Sequence, residues 1–205
     1  MIAATTTVAE VEIPISERGP SPRKVIVAYG FWLFLLSDII IFSALFAAYA
    51  VLSGRSAGGP TGVQLFHRDN VLIETGCLLL SSFTCAMMSL AIEVRRRGLM
   101  VIGALLTLAL GAAFLRLELT EFAGMVAHGA GPARSAFLSA FFALVGMHGL
   151  HVTIGLCWLV SMVAQVFTLG WRPMVVDRLA CFSLFWHALD IVWIGVFTIV
   201  YLGAR

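Results

Sequence analysis

Hydrophobic positions fall in five long blocks, at residues 27–52, 71–94, 99–120, 135–169 and 179–203, separated by short polar or glycine- and proline-rich stretches. At about 1.5 Å of rise per helical residue, each block is long enough to cross the roughly 30 Å hydrocarbon core of a bilayer. The pattern predicts an all-α chain with five transmembrane helices in one bundle. The fourth block, around residues 135–169, is apolar throughout, with no alternating strand period and no charge, yet it carries His148 and His151 midway. As a helix it runs on the order of 50 Å, so it must tilt or protrude. Two residues three apart lie about 60° apart around a helix axis, so these imidazoles share one face, which should look at protein rather than lipid.

The separators complete the expected layout. Residues 1–26 are polar and threonine-rich, interrupted by Pro14, Pro20 and Pro22, and read as an arm rather than a helix. The Gly58-Gly59-Pro60-Thr61-Gly62 cluster makes 53–70 a loop, Arg95-Arg96-Arg97 a tight turn, 122–134 a connection and 170–177 a second turn. The division is therefore an arm, 1–26, and a membrane domain, 27–205. Within the third block Gly103, Thr107 and Gly111 recur at intervals of four, a spacing that lets another helix approach closely.

Composition agrees with the pattern. The chain has 205 residues, 60% hydrophobic and 12% charged, with mean hydropathy +1.00, whereas soluble domains hold about 25% charged residues. A net charge of +2 gives no basis for binding nucleic acid. Cys77, Cys85, Cys157 and Cys181 all lie inside apolar blocks without metal-knuckle or haem-attachment spacing, and read as small buried hydrophobes. Glu10 and Glu12 stand where a cleavable signal would need a basic and then an apolar stretch, so the first span is expected to act as the insertion signal.

Five spans put the termini on opposite sides. Arg18, Arg23, Lys24, Arg95, Arg96, Arg97, Arg172 and Arg178 fall on the N-terminal side, against Arg55, Arg68, Arg134 and Arg205 on the other, with Arg116 inside the third span. The excess of positive residues predicts a cytoplasmic N-terminus and an external C-terminus.

Ionisable groups within a membrane cost roughly 2.5–3.5 kcal/mol each on insertion scales, so each needs a reason. Here they are Asp38, His148, His151, His187 and Asp190, with Glu74, Arg116, Glu118 and Glu121 nearer the outer face. One reading is a haem held between His148 and His187 on facing helices. Another is a carboxylate-bridged metal pair, although His-x-x-His and His-x-x-Asp are not the Glu-x-x-His such sites use. The third is that these side chains tie helices together and line a polar crevice for protons, lipid head groups or a partner subunit. Asp38 has no basic neighbour on its own helix, so either another helix supplies a partner or it stays uncharged. Glu74 and Arg116 stand at similar depth on spans joined by a short turn, and are expected to pair, with Arg116 otherwise snorkelling outward. Phe31, Trp32, Trp158, Trp171, Trp186 and Trp193 are expected to face lipid or anchor the interfaces.

Several of these residues carry a resemblance. Gly30-Phe31-Trp32 leading to Ser37-Asp38, the Glu121-Phe122 pair, the run 135–152 containing HGLHV, and Phe185-Trp186-His187 through Asp190, Val192 and Trp193 together resemble subunit III of the haem-copper oxidases. The five spans and the stretches AGGPTG and GPARSAFLSAFFALVGMHGLHV look most like the branch of that family found in cytochrome bo-type ubiquinol oxidases, since the cytochrome c branch has two further N-terminal helices. The resemblance implies a subunit without catalytic residues, haem or copper of its own. Haems and copper would sit in subunit I, with quinol as substrate of the complex, subunits I, II and IV as partners, and phospholipid in a cleft. It also implies a multi-pass protein of the bacterial cytoplasmic membrane, with Asp38 at the position of a membrane carboxylate associated with proton uptake and resistance to inactivation. Met147 and Arg116 depart from the family pattern, and nothing is carried over to them. The alternatives are subunit III of a cytochrome c oxidase, an accessory subunit of a nitric oxide reductase, or a free-standing haem b cytochrome.

Overall fold

The computed structural model describes residues 23–55 and 68–203, with the side chains of 25–55 and 70–203. Most of the arm, the Gly-Pro loop and Arg205 lie outside the described residues. Five helices long and apolar enough to cross a membrane follow one another: α1 Arg23–Leu52, α2 Arg68–Glu93, α3 Arg97–Ala127, α4 Ala136–Leu169 and α5 Pro173–Val196. A π-helical turn, Phe197–Leu202, continues α5.

Helix ends follow local chemistry, and in three places they correct the expected boundaries. α1 begins four residues before 27, inside the expected arm. α3 runs on to Ala127, taking in much of the expected connection. α5 starts at Pro173 instead of about 179, because proline at the first helical position has a pre-set φ and no amide proton to leave unsatisfied. α4 is capped by Ser135, whose hydroxyl accepts from the Leu138 amide at 3.2 Å, and stops at Gly170, φ +71°. Between α2 and α3 the turn is closed by Arg95 with φ +53°, its amide donating to Ile92 O and the Arg96 amide to Ala91 O. That left-handed helix cap normally uses glycine.

α2 and α3 form an antiparallel pair, α5 packs against both α2 and α4, and α1 lies across α4 and α5 at the edge. α1 accordingly exposes Trp32, Leu36 and Ile40, while α5 is the centre of the bundle. Close approach is bought with glycine at two positions. A Cβ at Gly103 would lie 3.0 Å from that of Met88 on α2, and one at Gly111 would lie 2.8 Å from Leu156 on α4 and 3.0 Å from the Trp186 ring. The Gly103/Thr107/Gly111 stripe thus admits α2 at one end and α4 and α5 at the other. Trp186 and Trp193 are fully buried, which overturns the expectation that they face lipid. Their indole N–H groups donate to Ser81 Oγ and Thr75 Oγ1 of α2, both at 3.1 Å, so hydroxyls on a facing helix make interior positions tolerable for both rings. Cys85 and Cys181 are buried as expected, whereas Cys157 is exposed on α4.

Candidate functional site

The polar groups of the bundle fall into three places. The first joins α1 to α4. Asp38 Oδ1 stands 3.8 Å from His151 Nε2, with the side chains 15% and 14% exposed. This is the partner that Asp38 lacks on its own helix, and it is the one ion-pair contact among the described residues. His151 Nδ1 lies 2.8 Å from the Met147 carbonyl oxygen. A carbonyl only accepts, so Nδ1 carries a proton and donates it, which leaves Nε2 of the neutral ring as a lone pair facing the carboxyl. A lone pair and a carboxylate attract each other only through a proton. At 3.8 Å the two groups are within ion-pair range but beyond direct hydrogen-bond distance. Phe42, one turn beyond Asp38, packs 5.2 Å from the His151 ring. On the other side Asp38 borders a pocket of about 100 Å³ between α1 and α5, with Leu35, Phe42, Phe185, Leu189 and Val192 among its walls.

His148, on the same face of α4, is completely buried, and neither ring nitrogen has a hydrogen-bond partner among the described residues. Its ring sits edge-on to Phe114 at 5.6 Å and beside Trp193 at 5.1 Å. The expected shared face of the two histidines is therefore real, but only His151 meets a polar group.

The second place ties α5 to α2. His187 Nδ1 and Ser82 Oγ are 2.7 Å apart, and Asp190 lies beside both. It is a serine of the neighbouring helix, and not Asp190, that faces His187 Nδ1 at hydrogen-bond distance. His187 thus faces α2 while His148 faces the rings of Phe114 and Trp193. Nearby, Thr84 and Thr107 bond each other at 2.8 Å, and Ser89 donates to Ser183 at 3.0 Å.

The third place lies toward the C-terminal end of α3. Glu74 of α2 and Glu118 and Glu121 of α3 are near enough to act on one another electrostatically, with Tyr201 beside them. Glu74 and Glu118 are 1% and 2% exposed, and their oxygens have no hydrogen-bond partner among the described residues. Glu118 presses on the α4 backbone at Gly149, where a Cβ would lie 2.7 Å from Oε1. The glycine of HGLH is the seat of that carboxyl. The sequence marks Glu118 as an ionisable group near the outer face, three residues before Glu121, but its seat against Gly149 follows only from the packing of α3 on α4. The expected Glu74–Arg116 pair does not form. Arg116 is two residues, about 200°, from the inward Glu118, which turns it to the outside of the bundle. No group of three or more His, Cys, Asp or Glu side chains among the described residues is placed to hold a metal ion.

Residues 21–204 match the cytochrome c oxidase subunit III family. The chain is 49% identical to the cytochrome bo(3) ubiquinol oxidase subunit 3 of Pseudomonas aeruginosa, over 85% of this chain and 83% of the relative. It is 52% identical to the subunit of the same name from Pseudomonas putida, over 84% of each. Against the quinol oxidase subunit 3 of Bacillus subtilis it is 46% identical, over 84% of this chain and 85% of the relative. With the match running through all five spans and both flanks of the Asp38–His151 contact, the chain belongs to the cytochrome c oxidase subunit III family.

Proposed function

We propose that this chain is the third subunit of a bacterial quinol-oxidising haem-copper oxidase, a complex that oxidises ubiquinol, reduces dioxygen to water and moves protons. What carries the reading is the identity of 49–52% to ubiquinol oxidase third subunits across more than four-fifths of both chains. The chain itself is non-catalytic. Its part is to hold the assembly together, to bind phospholipid, and to keep a protonatable contact at Asp38–His151. The redox centres belong to subunit I, with subunits II and IV as further partners. The N-terminus lies in the cytoplasm and the C-terminus in the periplasm, following the distribution of arginine and lysine.

Within this reading Asp38 and His151 handle a proton without touching a redox centre. Asp38 borders an apolar pocket, and its neighbour presents a nitrogen whose lone pair is set by the α4 backbone, so a proton can be held and passed on at one defined place. His187 ties α5 to α2, Glu74, Glu121 and Asp190 line the polar interior, and His148 packs among aromatic rings.

The test is isolation of the tagged chain from its own membranes in a mild detergent. A larger haem-bearing partner and quinol oxidase activity should accompany it, and the chain separated from that complex should show no Soret band. Purification without any haem protein, or a Soret band on the separated chain, would overturn the assignment.

A further inference from the structure

Arg116 is a charge that none of the contacts described above explains. α3 has 31 residues and is about 46 Å long, so a roughly 30 Å hydrocarbon layer centred on it leaves about 8 Å projecting at each end. Arg116 is eleven residues before Ala127, about 16 Å from the C-terminal end, which puts its Cα about 8 Å inside the hydrocarbon. It points away from the bundle and has no hydrogen bond or ion pair among the described residues.

An arginine at this depth is met either by a counter-charge or by its side chain snorkelling to the head groups. Reaching the head groups beyond the C-terminal end of α3 would require the side chain to bend against its own backbone, because helical Cα–Cβ bonds lean toward the N-terminus, here deeper into the membrane. The face around it is made for a neighbouring helix: Ala109, Ala112, Arg116, Thr120 and Ala123 line up along the exposed side of α3. Small residues let a second backbone come close, and a guanidinium presents a fork that a carboxylate fits with two parallel hydrogen bonds.

We infer that Arg116 is an intersubunit contact, paired in the assembled complex with an aspartate or glutamate on a transmembrane helix of another subunit packed on the Ala109–Ala123 face. The inference rests on the reading of this chain as one subunit of a complex. The partner helix is recognised by a single acid about 8 Å inside its membrane boundary, flanked by residues small enough to admit α3.

An R116K complex, purified with its neighbours, is treated with a membrane-permeant carbodiimide. The reagent activates a carboxyl as an O-acylisourea, and the introduced amine displaces the urea to leave an amide, so only a carboxyl in contact is captured. The expected result is a covalent product of this chain with a second subunit, mapped by mass spectrometry to one acidic residue and absent from wild type and R116Q. No product, or a link to a carboxyl within this chain, overturns the inference, as does R116Q losing bound phospholipid with no cross-link formed by R116K. Should R116K shed a neighbour outright, the membrane acids of that neighbour are changed to lysine in an R116E background. Restored assembly with one of them supports the pair, and restoration with none overturns it. An intact oxidase without the cross-link removes only this contact, whereas isolation without any oxidase removes the functional reading beneath it.

Discussion

Trp186 is the point where four helices meet, and a methyl group placed against it measures how closely they are held. It sits on α5, donates its indole N–H to Ser81 of α2 at 3.1 Å, and lies between Gly111 of α3 and Gly155 of α4. A Cβ at position 155 would be 2.8 Å from Trp186 Cζ3 and 3.2 Å from Phe185 Cε1. Carbon contacts settle at about 3.5–4.0 Å, so the ring must retreat by about 0.7 Å or more. It has nowhere to go, because its far edge already meets the backbone of α3 at Gly111 and rotation breaks the bond to Ser81. Overpacking of this kind costs about 1–3 kcal/mol, from which roughly 0.5–1 kcal/mol is recovered because alanine is a better helix former than glycine. Gly155→Ala should therefore destabilise by up to about 2.5 kcal/mol, centred near ~1 kcal/mol, a fall of up to about 10 °C in the temperature at which the chain leaves its complex on heating in detergent. Trp186→Phe removes the obstructing edge. On its own it loses a membrane hydrogen bond of about 0.6 kcal/mol and opens about 40 Å³, worth about 1 kcal/mol. In the double variant the methyl enters that space, so stability should stay within about 0.5 kcal/mol of Trp186→Phe alone. Gly30→Ala, with nothing within 4 Å of the added carbon, is the control and should not destabilise. The measurement is size-exclusion chromatography of the complex after a series of heating steps. Equal and additive losses in the double variant would show that the ring does not fill this space.

Asp38→Asn keeps the shape of the side chain but cannot ionise, so it should leave the haem spectrum and initial quinol oxidation rate of the complex nearly intact while shortening its working life or lowering its proton yield; unchanged lifetime and yield would reduce Asp38 to a packing group. Ser82→Ala leaves His187 Nδ1 without its 2.7 Å partner and should lower the dissociation temperature by the equivalent of about 0.6–1.7 kcal/mol, and no change would mean the bond is not made. Arg95→Gly relieves a left-handed residue at the α2–α3 turn and should raise that temperature by the equivalent of about 1 kcal/mol, unless the arginine charge outweighs its backbone cost. Reporter fusions after Arg97 should read as cytoplasmic and after Arg205 as external, and the reverse would sink the assigned orientation.

The number of spans and their type were legible in the amino-acid pattern, because a bilayer admits only segments whose backbone bonds are satisfied within themselves, and five apolar blocks of that length can do this only as helices. It also placed His148 and His151 on one protein-facing side of α4, since helical phase follows from spacing alone. What it could not supply was the rotation of each helix against its neighbours. That rotation is what turned Arg116 outward and brought three acids together with no cation paired to them among the described residues, because a difference of two positions on a helix reverses the face. It took Trp186 and Trp193 into the interior, where hydroxyls of α2 satisfy them, although the same residue type is at home at a membrane interface. And it chose the partner of Asp38 from another helix more than a hundred residues away, a pairing that exists only once α1 lies across α4.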